Sequence, residues 1–344
     1  MAERTRATMQ HVAALAGVSL KTVSRVVNGE PGVSEELEAR VRDAVQRLGY
    51  RHNLAASNLR RGRRTASIGV LVQDLRNDFS GELLRAVEDI ARLRGVVVMS
   101  SSLDEEPQRE VELVRGLVER RIDGLILMPA TEDQSYLLPE VHAGLAVVVV
   151  DRPPRGISLD SVTADNAAGV AAGVDHLAAH GHRRVAFVGD DTHIPTAADR
   201  RAGYLSAVAR LGLDDEPELR VTGARTPQDA ERAVAALLAL DRPPTAIMAA
   251  RNVITIAAVR ALRAASLSHQ IALVGFDDFP TADLLEPGVT LIKQDVVGLG
   301  TRAMDILLGR MDGEAGVGWR NEVLPTTLVE RGSGEIPGPA ARRH

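Results

Sequence analysis

"VAALAGVSLKTVSRVVN", residues 12–28, sets alanines, valines and a single glycine around a short polar run. A first helix is predicted from about Thr8 to Leu15, with Met9, Val12 and Leu15 at helical spacing. Ala16-Gly17-Val18 reads as a tight turn, with glycine where a positive φ costs least. Ser19 is placed to cap a second helix that runs to about Asn28. On that helix Val23 and Val26 face one way, and Leu20, Lys21, Ser24 and Arg25 share the opposite face. A third helix opens at Ser34, with Glu35 and Glu36 suited to its N-terminal dipole. Its stripe of Leu37, Val41, Ala44, Val45 and Leu48 ends at Gly49. Three short helices with a glycine turn between the first two make a helix-turn-helix. Its second helix offers donors fit for base edges and phosphates: Arg25 can contact a guanine through two bonds, and Lys21 is a less directional donor. The competing reading is a three-helix bundle that binds protein.

Moving outward, "YRHNLAASNLRRGRR" (50–64) holds a helix-capable stretch, Asn53 to Leu59, followed by an arginine run. Such a segment is too short to be a stable helix alone. It would fold when docked on DNA with its arginines on phosphates, unless it is simply a basic linker. Residues 1–64 carry 12 Lys and Arg against 6 Asp and Glu, and the remaining 280 residues carry 29 against 40. A basic head on an acidic body confines a nucleic-acid contact to the head. The absence of cysteine rules out disulfides, thiolate metal sites and cysteine nucleophiles. With no apolar run of membrane-spanning length and no signal-peptide pattern at the start, a soluble, cytoplasmic protein is expected.

From Ala66 onward, apolar runs such as "ASIGVLVQD", "VVVMSSS", "GLILMPA", "AVVVVD", "RVAFVGD", "TAIMAA", "IALVGFDD" and "TLIKQD" alternate with amphipathic helices. Helices are expected at 79–94, 108–121, 166–180, 198–211, 227–240, 252–265 and 296–310, and "EVLPTTLVE" closes the series as one strand. Continuous apolar strands between helices imply parallel sheets covered on both faces. Their number is too large for one sheet, so two similar α/β lobes enclosing a cleft at their strand ends are expected. The predicted organisation is a head at 1–52, a hinge helix and linker at 53–64, a body at 65–336 and a disordered tail at 337–344. Within the body the first lobe comprises about 65–162 and 292–320, and the second about 163–291 and 321–336.

The search for catalytic chemistry returns no phosphate loop, no dinucleotide fingerprint and no G-x-S-x-G elbow. No cofactor and no catalytic residue is expected. His176 and His180, with His182 nearby, superficially have ligand spacing, but nothing completes a metal set, and packing or capping at a helix end is the simpler role. Asp190/Asp191 and Asp277/Asp278 end strands, where carboxylates hold hydroxyls as well as they perform acid–base work.

Read together and in order, "VAALAGVSLKTVSRVVN", "NLAASNL", "RIDGLILMP", "HLAAHGHRRVAFVG", "RRAGY", "VGFDD" and "LIKQD" resemble the LacI/GalR family of bacterial transcription regulators over essentially the whole chain. The resemblance implies a helix-turn-helix head on a body of two Rossmann-like lobes, of periplasmic-binding-protein type I architecture. It further implies a homodimer on a near-palindromic double-stranded operator, controlled by a small-molecule effector of the sugar class. It carries DNA contacts to Thr8, Ser19, Leu20, Lys21, Thr22, Ser24, Arg25, Asn28, Tyr50, Asn53, Ala56 and Leu59. Leu59 corresponds to an apolar wedge in the minor groove, and Leu20 and Lys21 to the specificity positions. Effector contacts carry over to Phe79, Asp151, Arg200, Asp277 and Gln294.

Two positions depart from the family pattern. Arg251-Asn252 stands where relatives commonly have Asn-Asp, and Arg225 stands where an aromatic often stacks on a sugar. Arg200, Arg225 and Arg251 facing one cleft would suit a carboxylate or phosphate on the effector. The alternative is that Arg251 pairs with Asp277 and narrows the pocket for a neutral sugar. The tail carries no leucine heptad, which favours a dimer over a tail-zipped tetramer. A sugar-binding transport protein of the same body fold is the rival reading, and the basic head opposes it.

Overall fold

The computed structural model describes residues 7–28, 30–50, 65–313 and 318–339. The predicted hinge, with Asn53, Ala56 and Leu59, lies outside the described residues. The chain divides into two compact units, 1–65 and 66–344.

In the first unit, α1 spans Met9–Ala16, α2 Leu20–Val27 and α3 Glu35–Leu48. The Thr8 side chain accepts from the His11 amide, and the Ser19 side chain from the Thr22 amide, so each of the first two helices starts where a hydroxyl satisfies an orphan N–H. Gly17 takes φ 62°, and the Arg40 guanidinium donates to the Ala16 carbonyl at 2.6 Å, closing the C-terminal end of α1. Val12, Val23 and Val41 are fully buried at the centre of this small core, with Tyr50 packed at its edge.

The second unit runs β1 (Ser67–Val72), α4 (Asp78–Leu93), β2 (Val97–Ser102), α5 (Pro107–Glu119), β3 (Gly124–Leu127), α6 (Leu138–His142), β4 (Ala146–Val150) and β5 (Asp160–Ala164). It continues with α7 (Asn166–Ala179), β6 (Val185–Val188), α8 (Pro195–Leu211), β7 (Arg220–Val221), α9 (Pro227–Leu238), β8 (Ala246–Ala249), α10 (Asn252–Ala264) and β9 (Ala272–Phe276). The last elements are β10 (Thr290–Gln294), α11 (Val296–Met311), β11 (Asn321–Leu324) and β12 (Thr326–Val329). Two six-stranded sheets form, β11-β5-β4-β3-β1-β2 and β12-β10-β9-β8-β6-β7. All pairings are parallel except β10 with β12. Each sheet has an apolar cluster on either face, as a doubly covered parallel sheet requires.

Several expected boundaries move. The chain crosses between lobes at Asp165, Asp295 and Pro325 rather than near 162, 291 and 320, because β5, β10 and β11 stay paired in their sheets to residues 164, 294 and 324. "EVLPTTLVE" is accordingly two strands in two sheets. Proline has no N–H to continue a ladder, and the last carbonyl before it, that of Leu324, accepts from the Asp165 amide at 2.9 Å. Helix α8 begins at Pro195, three residues before expectation, with proline in the first turn where its missing N–H costs nothing. Residues 337 and 338 do not belong to a loose tail. The Gly338 amide donates to the His180 carbonyl at 2.8 Å, and a side chain at Gly338 would collide with the Gly181 backbone.

Candidate functional site

On the head, Leu20 is 46% exposed and Lys21 is exposed, while Ser24 and Arg25 are half-buried on the same helix. The Ser19 and Thr22 hydroxyls bond each other at 2.9 Å. Asn28 uses its side-chain amide to close α2, donating to the Ser24 carbonyl at 2.5 Å. Thr8, Ser19, Thr22 and Asn28 therefore shape the helix ends, leaving Leu20 and Lys21 as its most outward side chains.

In the body the strand ends of both lobes meet across a deep pocket of about 60 Å³. It is lined by Phe79, Asp151, Arg200, Arg251, Asp277 and Gln294 among others. Six of the seven residues expected at the effector site are thus brought together. Arg225 is the exception: it lies on a larger outer cleft of about 1180 Å³, which Arg251 also lines.

The two lobes contribute matching positions. Asp151 follows β4 and Asp277 follows β9, equivalent strands of the two sheets, and both adopt left-handed backbone with φ 68° and 67°. This conformation is uncommon for a residue with a side chain but tolerable for Asp. Asp277 accepts from Gln294 Nε2 at 2.6 Å and lies 3.8 Å from the Arg200 guanidinium. Arg200 itself is buried, donating to Asn166 Oδ1 at 2.7 Å and the Ala250 carbonyl at 2.9 Å, and it stacks 3.9 Å over the Phe276 ring. Burial pulls its pKa down against the charges of Asp277 and Asp151. Burial also raises the Asp151 carboxyl, opposed by Arg152 and Arg200. The side-chain oxygen of Gln294 is buried with no hydrogen-bond partner. Such an atom in a polar pocket is open to a hydrogen-bond donor.

The charge reading of the sequence is corrected here. Arg251 pairs not with Asp277 but with Asp190, at 2.5 Å, because Asp190 ends β6, next to β8, the strand that precedes Arg251. Arg225 pairs with Asp191 at 2.5 Å. The three arginines therefore present no uncompensated positive surface. Across the pocket and outer cleft seven arginines meet nine carboxylates. The histidine cluster holds the C-terminal segment: His176 Nε2 meets Glu335 Oε1 at 2.5 Å, and the ring nitrogens of His182 bond Thr245 Oγ1 and the Ile336 carbonyl. No group of three metal-ligating side chains occurs among the described residues.

Among the pocket residues that the sequence did not single out for the effector site, Gln73, Glu105, Arg152 and Asn77 bear on its chemistry. Arg152 is buried and holds Glu105 through a two-point pair, at 2.5 and 2.8 Å, while donating to the Pro129 carbonyl. Burial works to raise the Glu105 carboxyl, and Arg152 overcomes it, holding Glu105 below its ordinary value. Asn77 bridges the lobes: its Oδ1 accepts from Asn252 Nδ2 at 3.0 Å while also capping α4 through the Phe79 amide. Gln73, Glu105 and Arg152 lie just beyond strand carboxyl ends, where a ligand in a parallel α/β sheet is met. That rule was the signal available for them.

Comparison with known proteins agrees with this geometry. Residues 8–53 match the family model described as bacterial regulatory proteins, lacI family, and residues 174–334 match a periplasmic binding protein-like domain. The chain is 30% identical to the HTH-type transcriptional regulator RegA of Clostridium saccharobutylicum, over 94% of this chain and 98% of that one. It is 31% identical to the ribose operon repressor of Escherichia coli (strain K12), over 95% and 99%. The solved lac repressor dimer, bound to operator and the anti-inducer ONPF, superposes with a TM-score of 0.83 at 28% identity, over 96% of this chain and 99% of that one. No described helix is long and apolar enough to cross a membrane. This chain is a member of the LacI family of bacterial transcription regulators.

Proposed function

We propose that this regulator is a cytoplasmic, dimeric repressor that reads a near-palindromic operator through α2 and is controlled by a neutral, hydroxyl-rich effector held between the lobes. Leu20 reads a thymine methyl or local shape, Lys21 and Arg25 supply the polar contacts, and Tyr50, Asn53, Ala56 and Leu59 extend the contact into the hinge. Phe79, Asp151, Arg200, Arg251, Asp277 and Gln294 hold the effector.

One observation carries the choice of a neutral effector over an acidic or phosphorylated one. Each pocket arginine already has its own carboxylate: Arg251 has Asp190, Arg152 has Glu105 and Arg200 has Asp277. An anionic ligand would meet no unpaired guanidinium among these three and would add a negative charge beside Asp190, Glu105 and Asp277, which weakens its binding. A hydroxyl donates and accepts at once, so it can join an existing ion pair without breaking it. Two-lobe binding links effector and operator affinities reciprocally, whichever sign the coupling takes.

The test has two stages. Selection of bound fragments from genomic DNA, followed by fluorescence anisotropy across a salt series, should yield a preferred palindrome with a steep salt slope. Calorimetry with paired neutral and acidic sugars should then favour the neutral member. Absence of a salt-sensitive preference for any duplex sinks the regulator reading, and tight binding of the acidic member alone sinks the neutral effector.

A further inference from the structure

Helix α2 reads LKTVSRVV and contains no Asp, Glu, Asn or Gln. That composition limits which base edges it can read. Adenine is held in the major groove by the two-point amide of Asn or Gln, and cytosine by a carboxylate that accepts from its N4 amine. Neither pairing is open to α2. The hydroxyls of the helix and its cap are engaged at home: Ser19 and Thr22 bond each other at 2.9 Å, and Ser24 Oγ accepts from Asn28 Nδ2 at 3.1 Å. Two kinds of direct readout remain. A cation can take the acceptors of guanine, and an apolar side chain can lie against a C5-methyl group.

Lys21 and Arg25 supply the first, and Leu20 the second. Leu20 opens α2, whose N-terminal residues meet the bases in a helix-turn-helix. It keeps 46% of its surface exposed, and the apolar cluster of the head closes without it. A leucine senses a methyl group by contact alone. It has no donor or acceptor with which to tell the O4 of thymine from the N4 amine of cytosine. A 5-methylcytosine–guanine pair shows that methyl group together with the guanine acceptors, so it offers Leu20, Lys21 and Arg25 a complete match.

From this face we infer that Leu20 is a C5-methyl reader and that operator affinity responds to methylation of cytosine. At the base Leu20 meets, thymine and 5-methylcytosine are bound alike, and uracil and unmethylated cytosine are bound more weakly. The inference rests on the operator reading by α2 proposed above, and adds the chemical group sensed and a DNA modification that controls it. One buried methyl group is worth about fourfold in affinity, and two half-sites together make about fourteenfold.

The test uses the full chain and the duplex obtained by site selection. Each thymine of a half-site, with its symmetry mate, is replaced in turn by deoxyuridine, which removes only the methyl group, and affinity is read by fluorescence anisotropy. One position should lose about fourteenfold in the parent chain and less than about twofold in Leu20→Ala. Cytosine paired with guanine at that position should bind weakly, and 5-methylcytosine should bind about fourteenfold tighter than cytosine, again only with Leu20 present. Leu20 lies outside the core, so Leu20→Ala should keep the circular dichroism of the parent and the same salt slope, since no phosphate contact is lost. A scan in which no uracil costs more than about twofold, or in which Leu20→Ala loses as much as the parent, overturns the methyl reading and leaves the operator reading standing. A 5-methylcytosine duplex bound no better than its cytosine counterpart overturns the response to methylation. If no duplex is preferred at all, both readings fall.

Discussion

Removing the carboxylate of Asp160 should unfasten the first lobe at the end of its connecting elements that lies away from the crossings. Asp160 is fully buried at the start of β5. Its oxygens accept from Arg310 Nε at 2.8 Å, from a second Arg310 nitrogen at 2.9 Å and from the Arg320 amide at 2.7 Å. One side chain thus binds β5 to α11 and to the approach of β11, the three elements of this lobe that pass into the other. Asp160→Ala leaves Arg310 with the Gly318 carbonyl and the Trp319 ring face among its remaining partners. Deleting one member of a buried pair costs about 3–5 kcal/mol. Arg310 keeps 19% of its side-chain surface exposed, so partial rehydration puts the loss near the low end, about 3 kcal/mol. For a unit of this size that corresponds to a fall in melting temperature of roughly 6–12 °C. Differential scanning calorimetry should show the transition of the body moving down by this amount, with that of the head unmoved. Arg302→Ala, which breaks the exposed pair with Glu322, is the control and should cost under about 1 kcal/mol. A shift below about 3 °C for Asp160→Ala, or equal shifts for both variants, would refute the reasoning.

Further outcomes are expected. Gly203→Ala places a methyl carbon 2.2 Å from the Ala167 carbonyl oxygen. It should force α7 and α8 apart at about 3 kcal/mol, read by urea unfolding, and a loss below about 1 kcal/mol would contradict this packing. The Asp191 hydrogen bond raises the pKa of His193, and Asp191 itself is held down at about 2 by His193, with Arg225 adding to the effect. The His193 contribution to stability is therefore complete below the unfolded-state value of about 6.5 and is lost as pH rises through the higher folded-state value. NMR titration should place the His193 midpoint above about 6.5, with Asp191→Asn bringing it back; an unshifted midpoint in the parent chain would count against the contact. Arg25→Ala should relax base preference at one position of each half-site by about 1–3 kcal/mol, measured by repeating the site selection, whereas an unchanged preference would remove Arg25 from base reading.

Local chemistry made the head legible. Thr8, Ser19 and Gly17 announce helix ends through neighbours three to five residues away, and the described helices begin and stop at those residues. Most strands of the body were equally plain, because strands buried on both faces are apolar throughout. What escaped was non-local. The stretch around Pro325 carries strand-forming residues on both sides of the proline, and only the pairing of β11 with β5 and of β12 with β10 reveals that the chain changes sheets there. The Arg251–Asp190 pair joins residues 61 positions apart. No spacing rule connects them, since strand order, β8 beside β6, sets their proximity. Arg251 lines the pocket, but the charge it shows there depends on a partner that only the sheet topology supplies.

Topology also bears on how the lobes can move. The lobes are joined by three crossings, at Asp165, Asp295 and Pro325, each a single residue between regular elements. Asp165 and Asp295 are fixed further, capping α7 and α11 through the Ala168 and Gly298 amides. Relative rotation of the lobes is therefore confined to a few backbone torsions along this line. Gln294 immediately precedes one crossing, and Asp151 and Asp277 end strands adjacent to β5 and β10, so the deep pocket sits close to the axis of any such rotation. Opening displaces atoms near an axis little and atoms far from it more. A ligand confined to the deep pocket would contact both lobes in similar fashion whether they are open or closed, and a ligand equally content in both states shifts neither. A ligand that also reaches Arg225 and His193 touches groups beyond the pocket, whose separation from Asp74 and Arg76 would change more on such a rotation. Under the proposed two-lobe binding, contacts in the outer cleft would contribute more to differential affinity, and so to coupling, than contacts in the deep pocket.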